Sequence, residues 1–158
     1  MSLQSRPIMH DVCDGRYILT DPMFRNNPKV LQIILNTDDL EIVNPLGSHI
    51  KKHKITIFYY TVPNIRPEYR SRLSTIQLLL IAKSQDLPVK TSDTVGILLN
   101  DFIQTVNKMA EGGIELIIHG AKQIIEGRLI MVCPDTLAAH LFGKLKEGFF
   151  CRKILQNL

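Results

Sequence analysis

Apolar residues in this chain gather in short dense blocks, and the spacing inside the blocks changes along the sequence. From Val30 to about Thr37, and again over Ile55–Val62, β-branched and aromatic residues run almost without interruption, the pattern of strands buried on both faces. Asn44-Pro45-Leu46-Gly47-Ser48 supplies a turn between them, and Pro63 ends the second block. The shorter run Ile76–Ala82 suits helix or strand, and its place between strand-like blocks favours strand. Between Ser92 and Glu111 the step lengthens. Val95, Leu98, Leu99, Phe102, Ile103, Val106, Met109 and Ala110 recur every three or four residues, which predicts a core-facing helix, with Ser92 or Asp93 as cap and Gly112-Gly113 as stop. A small hairpin follows, 114–118 and 122–126 around His119-Gly120-Ala121, then a fourth core strand over 128–133 and a short helix over Thr136–Lys146. Residues 1–29, with three prolines and no sustained period, read as an irregular lead-in, so the folded core is expected to span 30–158.

The order strand, strand, strand, helix, strand, helix is the opening of a ribonuclease H-like α/β fold. Three antiparallel strands form a meander, a helix crosses over, and the fourth strand lies parallel beside the first. Asp38 and Asp135 stand just beyond the first and fourth core strands, so neighbouring parallel strands, about 5 Å apart, would bring the two carboxylates together. Hard divalent cations take such oxygen ligands from points far apart in sequence. Each Asp also fits the ordinary preference of that residue for turns. Asp39 should face away from Asp38, Glu41 should lie past the strand end, and Asn36 shares the Asp38 face.

At 158 residues the chain is the size of one domain, and it lacks an apolar stretch of the roughly eighteen residues needed to span a bilayer. Its amino terminus has no secretory pattern, and three widely spaced cysteines, Cys13, Cys133 and Cys151, argue for a reducing, intracellular setting over a disulfide framework. A net charge of +4 leans toward a polyanionic partner, although solubility alone would also account for it. Lys51, Lys52 and Lys54, with Arg66, Arg70 and Arg72, are the candidate phosphate contacts, and solvated loops are the competing reading. His49 and His53 follow Pro45 and Gly47, which suggest a turn, and further zinc ligands are not evident.

Several phrases resemble the transposases of cut-and-paste DNA transposons, in particular CACTA-like elements. They include Asp11-Val12-Cys13-Asp14-Gly15, the run from Leu31 through Asp38 to Asn44-Pro45-Leu46-Gly47-Ser48, Tyr69-Arg70-Ser71-Arg72, and Asp135-Thr136-Leu137-Ala138-Ala139-His140. The resemblance implies a catalytic core with an acidic triad for two magnesium or manganese ions, Asp38 and Asp135 being its first-strand and fourth-strand ligands, with DNA as substrate, a nuclear setting and full-length transposase as a further partner. The chain departs from the family in having Pro134 before the acid and Ile154 where a second cysteine of a Cys-Arg-x-Cys pair would stand. It also stops before the strand that would carry the third acid, so the isolated chain is expected to be inactive and to bind the ions and DNA weakly.

Three readings are thus in play: a metal-dependent transposase, completed by further chain or by a partner; a domesticated fragment that binds DNA or protein; and a small-molecule α/β enzyme. The third has little to support it, since no Gly-x-Ser-x-Gly, Walker or Gly-x-Gly-x-x-Gly pattern occurs.

Overall fold

A computed structural model describes residues 10–42, 54–87 and 96–134. Its centre is a mixed four-stranded sheet in the order β3-β2-β1-β6, built from β1 (Leu31–Glu41), β2 (Lys54–Thr61), β3 (Gln77–Lys83) and β6 (Gly127–Pro134). A separate two-stranded hairpin, β4 (Ile114–Ile118) and β5 (Ala121–Ile125), precedes β6 in the chain. The first three strands pair antiparallel and β6 pairs parallel with β1, as the sequence pattern predicts.

β1 alternates strictly. Ile33, Leu35 and Thr37 are buried on one face, where they meet Phe58 of β2, Leu129 of β6 and one side of a helix over Asn100–Glu111. That helix buries Val106 and Met109 against the sheet and ends at Gly112, with Gly113 at a φ of +83°, a left-handed stop that glycine adopts without strain. Gly127 lies beside it: a Cβ there would come within 2.5 Å of the Met109 Cε, the mobile end of that side chain, and 3.3 Å from the Leu31 Cβ and carbonyl oxygen on β1. The hairpin turns through His119 and Gly120, both at positive φ, the geometry that matches the twist of two-residue β-hairpins.

The opposite face carries a correction. Residues expected to form an irregular lead-in instead contain two short helices, α1 (Arg16–Thr20) and α2 (Pro22–Asn26), which bury Ile18 and Phe24 against Val30 and Ile130. Five-residue helices are too short to show a period, and tertiary packing is what stabilises them. Their signal was local: Asp21 caps α2 by accepting from the Met23 N–H, and Pro22 takes the first helical position. The layer is tied to β6 by an Arg128–Asp21 ion pair at 2.7 Å, and to Glu126 just before that strand by Asn27 donating at 2.6 Å. The chain-order third helix, α3 (Pro67–Arg70), lies in the β2–β3 connection, and the Asn100–Glu111 helix is therefore α4.

β1 also runs further than expected. It continues through Asp38 and Asp39 to Glu41, because β2 supplies partners at every step, ending with Glu41 opposite Lys54. Asp38 is accordingly inside β1, and Glu41 is its last residue.

Candidate functional site

Alternation along β1 sorts the two adjacent carboxylates onto opposite faces. Asp38 is exposed on the α1–α2 side, two residues beyond Asn36, while Asp39 turns to the α4 side, where its Oδ1 accepts a 2.6 Å hydrogen bond from the hydroxyl of Thr56. This is the division that strand alternation requires. Asn36 stays on the Asp38 face and donates its amide to the Ile34 carbonyl at 3.2 Å. Among the described residues the Asp38 carboxylate has no hydrogen-bond or ion-pair partner. It therefore suits a hard cation in kind, being an exposed oxygen ligand held on a paired strand.

The parallel ladder between β1 and β6 runs Leu35↔Val132, Asn36↔Cys133 and Thr37↔Pro134 after a bulge that steps over Ile130. It thus ends one residue short of Asp38 on β1. Asp135 lies outside the described residues, as do Lys51, Lys52, the 136–146 helix, the Ser92 and Asp93 caps, His49, His53 and Cys151. Among the described residues no group of three His, Cys, Asp or Glu side chains is placed to hold a metal ion.

The basic residues named from sequence are divided by the fold. Lys54 begins β2, at the end of the sheet where Asp38 lies, whereas Arg66, Arg70 and Arg72 follow the far end of that strand. Seven strand steps separate these ends, about 23 Å. Arg70 is committed within the chain: its guanidinium donates to both carboxylate oxygens of Asp11, each at 2.6 Å, and to the carbonyls of Ile65 and Pro63. That fork holds the Asp11 carboxyl below its usual range, chiefly through the Arg70 hydrogen bond. Arg72 stacks over the Tyr69 ring at 4.3 Å from its centroid, and Arg66 is exposed. Beside the fork, the Cys13 thiol donates to Gln32 Oε1 at 3.1 Å, and burial pushes its pKa up, so it behaves as a packed polar group.

Sequence reasoning missed Lys83. Leu40 pairs with Ile55, and Ile55 with Lys83, so this exposed lysine projects from the Asp38 face at the Asp38 end of the sheet. Its only sequence signal was a charge closing the third apolar run. The opposite face carries a cavity of about 510 Å³ between α4 and the sheet, lined mainly by apolar side chains such as Leu31, Ile33, Leu79 and Phe102, with Asp101 and Thr105 of α4 as its polar members.

No helix among the described residues is long and apolar enough to cross a membrane. Neither a scan against protein-family models nor a search of curated proteins returns a match for this chain.

Proposed function

We propose that this chain is part of a ribonuclease H-like catalytic core derived from a cut-and-paste DNA transposase, with Asp38 and Asp135 as two of the acidic ligands for magnesium or manganese. The observation that carries the reading is the β1–β6 register. A parallel ladder that reaches Thr37↔Pro134 needs one further step to set Asp38 beside Asp135, on one face and roughly 5 Å apart at the backbone. Pro134, which has no N–H to donate, fits the last paired position provided that Thr37 supplies both ladder groups there. The strand order β3-β2-β1-β6, with α4 between β3 and β6, agrees with the expected topology, and the hairpin is an addition before the fourth core strand.

In this reading the bound ions would polarise a phosphodiester and activate its attacking hydroxyl. The chain's own contribution is to hold two carboxylates rigidly on adjacent strands and to present Lys54 and Lys83 to phosphate oxygens at the same end of the sheet. Two protein carboxylates bind magnesium weakly, since it demands octahedral oxygen coordination and gives up water reluctantly. A third acidic group is needed for cleavage and strand transfer. DNA binding by these lysines is sequence-independent and salt-sensitive, with about one unit of log-log slope for each phosphate neutralised.

Manganese titration followed by the paramagnetic resonance of free Mn²⁺ tests the proposal. One weak site, lost in Asp38→Ala and equally in Asp135→Ala, is expected. Binding that survives either substitution would rule out a shared site.

A further inference from the structure

Behind Asp38, on the α4 side of the sheet, a chain of side-chain hydrogen bonds runs from β1 through β2 to the turn that follows β3. Asp39 Oδ1 accepts from Thr56 Oγ1 at 2.6 Å, and Thr56 Oγ1 lies 2.9 Å from Ser84 Oγ, just past the end of β3. Thr56 sits directly opposite Asp39 in the β1–β2 register and exposes none of its surface. A buried hydroxyl is costly without partners, and a carboxylate acceptor makes the stronger kind of bond, so this three-residue chain fixes its members tightly.

The position of the chain matters more than its strength. The β6 ladder ends at Thr37, so at the level of Asp38 and Asp39 the described pairing of β1 is with β2 alone. Successive side chains of a strand leave opposite faces of one pleated backbone, so pinning Asp39 inward fixes the direction in which Asp38 leaves outward. The same bond keeps the Asp39 carboxylate turned away from the Asp38 face.

We propose that Thr56 is a positioning residue for the metal-binding carboxylate Asp38, acting through Asp39, with Ser84 orienting the Thr56 hydroxyl. The inference rests on the metal site proposed above. Groups that hydrogen-bond a metal ligand from behind govern affinity by roughly ten- to a hundred-fold, and Thr56 acts one residue further back, so the lower figure is the one expected here. Thr56→Val keeps the side-chain shape and removes the hydrogen bonds, and Thr56→Ser restores them.

The test is Mn²⁺ titration of the whole chain together with thermal unfolding and the backbone amide order parameter of Asp38. In Thr56→Val the affinity should fall roughly ten-fold and recover in Thr56→Ser, with the unfolding midpoint of Thr56→Ser matching the wild type. Should Thr56→Val fail to fold, Ser84→Ala breaks one link and should weaken binding by a smaller factor. Wild-type affinity in both Thr56→Val and Ser84→Ala overturns the proposal while leaving the metal site intact. If the wild type binds no Mn²⁺, the metal site itself falls. The positioning role is then judged on the amide. Its order parameter should drop from about 0.85 toward 0.6 in Thr56→Val and return in Thr56→Ser, and an unchanged value overturns the inference.

Discussion

The two faces of the central sheet are built on different principles. The α4 face is a continuous apolar core in which Ile33, Leu35, Phe58, Leu99, Val106 and Leu129 are each at most 4 % exposed. The other face is apolar at one end only. α1 and α2 cover Val30, Ile34 and Ile130, and beyond them the strands carry Asp38, Leu40 and Ile81 in the open. On the first face Asp39 finds a partner in Thr56 while the buried Thr37 hydroxyl has none, whereas Asp38 on the second face is exposed to solvent. In the metal site proposed above, burial on one side would supply the rigidity that the carboxylate on the other side uses.

Truncation on each face is the strongest way to break this comparison. Phe58→Ala should cost about 3–5 kcal/mol and unfold the chain cooperatively, because Phe58 is fully enclosed between sheet and helix. Phe24→Ala should cost less, about 3 kcal/mol at the bottom of that range, since the core it fills has four buried members among the described residues and α2 can detach locally. Urea denaturation with hydrogen exchange separates the two, and equal costs would mean that the faces are one cooperative unit.

A smaller effect is expected at the fork that ties the amino-terminal segment to the β2–β3 connection. Arg70→Ala should cost about 1–2 kcal/mol, the pair being about a fifth exposed and partly replaced by water. The folded Asp11 carboxyl titrates below its usual 3.8, so its contribution is complete above that value and is lost as pH falls through the lower folded one. The stability gap between wild type and Arg70→Ala should therefore narrow as the pH is lowered below about 4. A gap constant down to pH 2 would show that the fork acts by packing and not by charge.

The smallest effect belongs to the open end. Ile81 is 51 % exposed on the Asp38 face, and Ile81→Ser should change stability by no more than about 0.5 kcal/mol. A loss several times larger in chemical denaturation would reveal that this end is covered in solution, and the contrast between the faces would have to be redrawn.

Periodicity made the sheet legible. The two dense apolar runs, the weaker third run and the strand over Gly127–Pro134 all occur near their expected bounds, as does the His119-Gly120 hairpin, because buried strands and a Gly-containing tight turn write themselves into local composition. The separation of Asp38 from Asp39 was legible for the same reason, alternation being a property of any strand. The amino-terminal layer was not, since α1 and α2 owe their stability to Ile18 and Phe24 meeting Val30 and Ile130 across the sheet. Nor was the fate of Arg70: its charge is evident in sequence, but Asp11, 59 residues away, decides that it closes an internal fork. The extension of β1 to Glu41 came from its partner, whose backbone gives Asp38 and Asp39 hydrogen-bonding positions that their own propensities oppose. Local patterns of apolar and polar residues therefore determined which segments are strands and which face each side chain takes. Only the tertiary structure decided which charges are free and which are spent, because that depends on contacts between residues far apart in the chain.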